Sequence, residues 1–155
     1  MKHQKLLVSG LFLSLIGCTA NKDNLSKLSS VGNIKYKYWD VIYTTNIFGR
    51  YHSPLRRDGK PDRCDKFEIN GKVSHYDYLD SVSVIDRGCN TDIKFNPDDF
   101  IFESDTILSF GGRKFKIDAL TKNIMVLKSI SPDKNYMTVI YQASRMQEKK
   151  VVKCK

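Results

Sequence analysis

Long apolar runs are scarce in this 155-residue chain. The longest, Leu6–Ile16, is broken only by Ser9, Gly10 and Ser14. At about 11 residues it falls short of the roughly 20 that a helix needs to cross a bilayer. Acids are few, 17 against 26 Lys and Arg, for a net charge of +9. No apolar period of about 3.6 residues persists over ~11 positions, which argues against a helical domain. No segment repeats at a spacing of roughly 20–50 residues, so solenoids and propellers are not expected. Catalytic signatures are missing: there is no Gly-x-Ser-x-Gly, no His-Glu-x-x-His and no phosphate loop. None of the four cysteines forms a Cys-x-x-Cys, and His52 and His75 lack a partner at ligand spacing, so no metal is expected. The adjacent acids Asp98-Asp99 and the pair Asp62 and Asp65 read as turn and strand-end residues, and His52 and His75 as ordinary surface or interfacial ones. The expectation is a protein that is not an enzyme and carries no cofactor.

What is present begins at the N-terminus. Met1–Lys5 holds two lysines and no acid, the apolar stretch follows, and Leu15-Ile16-Gly17-Cys18 closes it. Charge, length, small residue and Cys stand in the order of a cleaved export signal. The tetrapeptide resembles the bacterial lipobox. That resemblance implies a diacylglyceryl thioether on Cys18, cleavage before it, and residues 1–17 as a signal peptide. Two or three acyl chains, at ~0.8 kcal/mol per buried methylene, anchor a protein without spanning the membrane. Thr19 rather than Asp follows Cys18, which by the sorting rule of two-membrane bacteria implies the outer membrane. Removal of residues 1–17 takes away Lys2 and Lys5 and leaves 24 basic residues against 17 acids, a net charge of +7.

Residues 18–32 are polar apart from Leu25, Leu28 and Val31, and are expected to form a flexible tether. From Ile34 the pattern is β, and residues 33–145 are expected to form one domain. Ile34–Thr45 is dense in Tyr, Ile, Val and Thr and holds the only Trp, with a phase change near Tyr38-Trp39 that predicts a bulge or bend. Lys66–Ile69 and Lys72–Leu79 flank Asn70-Gly71, a hairpin signal because both residues accept positive φ. Val82–Ile85, Ile93–Phe95, Phe100–Glu103, Thr106–Phe110, Arg113–Asp118, Ile124–Ile130 and Tyr136–Ala143 complete the expected strands. Asn96-Pro97-Asp98-Asp99 reads as a turn. Most linkers are of hairpin length, too short for parallel crossovers. The fold class is all-β: an antiparallel meander of about eight strands, closed as a small barrel or folded as a sandwich.

A resemblance supports the barrel. Ile107-Leu108-Ser109-Phe110-Gly111-Gly112, Arg113-Lys114-Phe115-Lys116-Ile117, Leu120-Thr121-Lys122-Asn123-Ile124-Met125-Val126-Leu127 and Tyr136–Tyr141 resemble the C-terminal hairpins of small lipocalin-like lipoproteins. At the front the chain departs from that pattern, since Gly32 and Trp39 are seven residues apart and the loop Asn46–Arg63 is long and basic. The resemblance implies a lipocalin-like barrel and, as one function, carriage of a small apolar ligand inside it.

With Cys18 lipidated, Cys64, Cys89 and Cys154 remain in an oxidising compartment. Three thiols permit one bridge. Cys64 and Cys89 both stand at strand ends, and Cys64–Cys89 is the favoured pairing. A bridge from Cys154 that clips the tail to the barrel, as C-terminal cysteines do in many lipocalins, is the alternative.

Basic residues crowd two places. Arg50, His52, Arg56, Arg57, Lys60 and Arg63 share the loop Asn46–Arg63, and residues 146–155 form a tail with Lys149, Lys150, Lys153 and Lys155. Such charge concentrates anionic partners. Nucleic acid is excluded by export, leaving an acidic protein or anionic lipid. Arg50, Arg56, Arg57 and Arg63 are the expected contacts, because the guanidinium fork suits carboxylate and phosphate. The two surviving functions are a membrane-anchored module that binds such a partner, and a carrier whose barrel interior holds a small apolar ligand.

Overall fold

Ten residues from Tyr36 to Thr45, eight of them β-branched or aromatic, make the longest strand and the spine of the molecule. The computed structural model describes residues 22–45, 50–90, 98–130 and 137–154. Eleven strands occur among them: β1 (Tyr36–Thr45), β2 (Tyr51–His52), β3 (Arg63–Glu68), β4 (Lys72–Tyr78), β5 (Ser83–Asp86), β6 (Asp98–Ser104), β7 (Ile107–Phe110), β8 (Arg113–Leu120), β9 (Ile124–Ile130), β10 (Thr138–Ala143) and β11 (Lys150–Val152). Residues 22–29 form a short helix, α1. The expected strand Ile93–Phe95 lies outside the described residues, as do Cys18 and the whole signal segment.

Eight strands close a barrel. β1 pairs with β3 on one side and β10 on the other, and β10 leads through β9, β8, β7 and β6 back to β4. All eight pairings are antiparallel, and closure is made by Lys72↔Asp99 and Val73↔Asp98. This closure decides the architecture as a barrel rather than a sandwich. β4 serves two neighbours along its length: its start pairs with β6, and Tyr76–Tyr78 pairs with β5. β5 thus stands outside the ring. The expected turn at Asn96–Asp99 is corrected in part, since Asp98 and Asp99 begin β6.

The interior is filled. Phe67 meets Phe100 and Phe110 edge-on at 5.3 and 5.6 Å, and Phe110 stacks on Phe115 at 4.8 Å. Leu108, Met125, Leu127 and Val73 pack around these rings, fully buried. At one end, α1 covers the barrel. Leu28 is fully buried and Leu25 packs against the core. Trp39 donates its indole N–H to the Leu28 carbonyl at 2.7 Å, and Lys37 donates to the carbonyls of Lys27 and Lys122. Burial, then the nearby Lys122 charge, lowers the Lys37 ammonium to a pKa of about 8. The expected flexible tether 18–32 is therefore corrected for residues 22–29, which form a helix that plugs the barrel, because Leu25 and Leu28 recur on one helical face.

A second correction concerns the tail. Residues 146–154 are not a free basic extension. Ser144 donates its N–H to the Tyr38 carbonyl, and the Gln147 amide oxygen accepts the Tyr38 N–H at 2.8 Å. Lys149 lies over the rings of Tyr78 and Tyr38. Having crossed the outer face of the barrel, the chain adds β11 parallel to β5, in the register Val151↔Val84.

The disulfide is Cys89–Cys154, with a Cα separation of 5.3 Å, so the expected Cys64–Cys89 bridge is replaced. Cys64 is a free, fully buried thiol beneath the tail, clustered with Tyr38, Tyr76 and Val84. Burial in this apolar layer pushes its pKa up, which keeps it protonated.

Candidate functional site

Both β1 and the strand pairings fix which end is open. The turns after β6 and β8 lie beside α1, where Asn24 reaches the Asp105 carbonyl and Lys37 the Lys122 carbonyl. The opposite end gathers the C-terminus of β1 and the N-termini of β3, β6, β8 and β10. Here a cavity of about 380 Å³ opens among Val41, Thr44, Phe110, Phe115, Met137 and Val139. Its charged lining comes from Arg63, Asp65, His75, Arg87, Asp98 and Arg113, with Tyr141 beside them.

Asp65 is the centre of this mouth. Strand alternation puts Arg63, Asp65 and Phe67 on the inward face of β3, and the β3–β4 register sets His75 directly across from Asp65. His75 Nδ1 lies 2.7 Å from Asp65 Oδ1, and Tyr141 donates its hydroxyl to Asp65 Oδ2 at 2.8 Å. His75 Nε2 faces Asp98 Oδ2 at 3.3 Å. Asp65 is only 4% exposed, so its charge depends on these partners. Burial raises its carboxyl, but the charge and hydrogen bond of His75 outweigh that and leave it below the usual carboxylate range. For His75, burial works against the charged ring, yet Asp65 and Asp98 prevail and raise its pKa. Burial, then Asp65, drives the Tyr141 hydroxyl well above its ordinary value. With Asp65 on one ring nitrogen and Asp98 on the other, the site favours the charged form of His75.

The arginines are placed unequally. Arg87 donates to Asp77 at 3.2 Å. Arg113 donates to the Met137 sulfur at 3.6 Å. Among the described residues, neither Arg63 nor Arg113 forms an ion pair with a carboxylate. Gly111 turns the β7–β8 hairpin at the rim with φ +56°, and a Cβ there would meet Asp98 Oδ2 at 3.3 Å.

The basic loop takes a different form from a shared patch. Arg63 points into the mouth, whereas Arg56 lines a groove on the outer face with Tyr78, Leu79 and Lys149. Arg57 is exposed at the loop tip, and Arg50 is exposed where the chain enters β2. Among the described residues, these four do not line one shared cavity. The loop is nonetheless ordered as a small hairpin. Arg56 N–H donates to the Lys60 carbonyl at 2.8 Å, Gly59 N–H to the Arg56 carbonyl at 2.9 Å, and Asp62 N–H to the Pro54 carbonyl at 2.8 Å. Pro54 is fully buried and Leu55 pairs with Pro61. Two further exposed side chains, Asp58 and Lys60, pair at 3.6 Å.

His75, Asp65 and Tyr141 were not expected to meet, and His75 is not a surface residue but part of a buried ion pair. Two acids and a His on inward positions of neighbouring strands were the available signal. Among the described residues, no group of three or more His, Cys, Asp or Glu is arranged to hold a metal, and no helix is long and apolar enough to cross a membrane. No protein-family model matches this chain, and no curated protein shows significant similarity to it.

Proposed function

We propose that this protein is an envelope lipoprotein, anchored through Cys18 in the outer membrane, that binds an acidic partner through the loop preceding β3 and catalyses no reaction. The observation that carries the reading is the ordered hairpin 54–62. It holds Arg56 and Arg57 in solvent on a backbone already fixed by three cross-loop hydrogen bonds and a buried proline. A loop fixed before binding loses little entropy on association, and rigid scaffolds concentrate recognition in such loops. Exposed arginines on it offer paired hydrogen bonds to carboxylates.

The position of α1 gives the anchor a direction. Three residues lie between Cys18 and Lys22, so the four Cα-to-Cα steps reach at most ~14 Å when fully extended. Lipid on Cys18 would hold the plugged end of the barrel at the bilayer. The open end, and the loop that leads into Arg63 there, would face away from the anchoring leaflet. An acidic protein suits that orientation better than the lipid of the same membrane.

The filled interior speaks against carriage of a large apolar ligand, since Phe67, Phe100, Phe110 and Phe115 occupy the middle of the barrel. The test is retention from an envelope extract on the immobilised full chain. Retention of an acidic protein that elutes as salt rises supports the reading. Retention of none, or elution indifferent to salt, contradicts it.

A further inference from the structure

The open mouth of the barrel has features of a ligand site that the loop does not share. Its cavity of about 380 Å³ falls in the lower part of the ~300–1,000 Å³ range of small-molecule sites. One wall is apolar, made by Phe115, Met137 and Val139. The remaining lining carries an excess of positive charge. Asp65 and Asp98 are both engaged by His75, and Arg87 is engaged by Asp77. Arg63 and Arg113 project from β3 and β8 into the same cavity, with no carboxylate partner among the described residues. Unopposed guanidinium groups beside an apolar wall, in a partly enclosed space, favour an anionic head with an apolar body.

We propose that the mouth is a binding site for a small amphiphilic anion, a carboxylate or phosphate monoester with a short apolar tail. The head is held by Arg63 and Arg113, and the tail lies on Phe115, Met137 and Val139. The Asp65–His75–Asp98 group forms the polar floor beside it and fixes the inward face of β3 and β4. Because this site is distinct from the Arg56–Arg57 loop, either proposal can fail while the other stands.

The test follows the methionine methyl resonances of the full chain in non-ionic micelles, labelled with carbon-13 at methionine. Met137 lines the mouth, Met125 is buried in the core and Met146 lies outside the barrel, so the three report separately. Hexanoate, hexyl phosphate, inorganic phosphate and hexanol are titrated in parallel. The expected result is a saturable shift of Met137 alone with hexanoate or hexyl phosphate, and a weaker response to hexanol and to phosphate. The carboxylate and phosphate arms distinguish which head is preferred. Arg63→Gln with Arg113→Gln should weaken the binding about tenfold or more, the loss expected for charge-assisted hydrogen bonds. An unmoved Met125 resonance shows that the variant is folded. If Met137 does not saturate, if hexanol binds as well as the anions, or if the folded double variant binds like the parent, the proposal is overturned. The hexanol comparison uses the unaltered chain, so it decides the matter even if the variant fails to fold.

Discussion

His75 and Asp65 face each other across the β3–β4 pair with 2.7 Å between Nδ1 and Oδ1, inside the barrel and shielded from solvent. Such a contact ties stability to pH. The His75 pKa is raised, so its contribution is complete below the unfolded value of ~6.5 and is lost as pH rises through the higher folded value. The Asp65 pKa is lowered, so its contribution is complete above ~3.9 and is lost as pH falls through the lower folded value. Unfolding midpoints should be highest between about pH 4 and 6.5, and Asp65→Asn should flatten that dependence. Removing one partner of a buried pair typically costs ~3–5 kcal/mol, which denaturant titration of Asp65→Ala would read. A variant with the parent's stability and the parent's pH profile would show that the pair is not coupled.

At the plugged end, Leu28 anchors α1. It is fully buried and its carbonyl accepts the Trp39 indole N–H. Leu28→Ala should cost ~2–5 kcal/mol by loss of packing and creation of a cavity. The single tryptophan offers the measurement, since loss of the plug should shift its emission to longer wavelength at temperatures where the barrel is still folded. Emission unchanged until global unfolding would mean that α1 does not seal the barrel.

The Cys89–Cys154 bridge spans 65 residues. By the chain-entropy account, a loop of that length contributes about 4 kcal/mol, an upper figure where the unfolded chain keeps structure. Cys154→Ser should lower stability by up to that amount, and should speed amide exchange in β11 and β5 before it affects β8 or β9. Uniform acceleration across all strands would contradict a local clip.

The sequence was legible where hairpin chemistry is local. β8 and β9 begin at Arg113 and Ile124, as expected from Gly111-Gly112 and from the turn Leu120–Asn123. The register of the β3–β4 hairpin was not. Flanking strands ending at Ile69 and beginning at Lys72 would have set Asp65 opposite Tyr76. Instead Gly71 donates its N–H to the Glu68 carbonyl and takes φ +85°, adding a residue to the turn. Phe67 then pairs with Val73 and Asp65 with His75. One residue of register moves a side chain to the other face, so the mouth could not be read from the turn signal alone.

The phase change at Tyr38-Trp39 had a different origin from the bulge or bend it suggested. Lys37, Tyr38 and Trp39 are all buried because α1 and the core cover the inner face while the tail covers the outer one. The shift in β1 register comes later, between Val41 and Tyr43. Nothing in the first half of the chain announces that residues 144–152 will return over it. The same long-range packing explains why Cys64, at a strand end and apparently available, is covered while Cys154 reaches Cys89.

Binding through the hairpin 54–62 is tested most directly by the affinity of a retained acidic partner for Arg56→Ala with Arg57→Ala. Both side chains are exposed and their loop is held by backbone hydrogen bonds, so the melting temperature should stay close to that of the parent. Loss of two charged contacts should weaken binding by about tenfold or more, with a smaller dependence on salt. A double variant that binds as tightly as the parent, with the same salt dependence, would contradict the account.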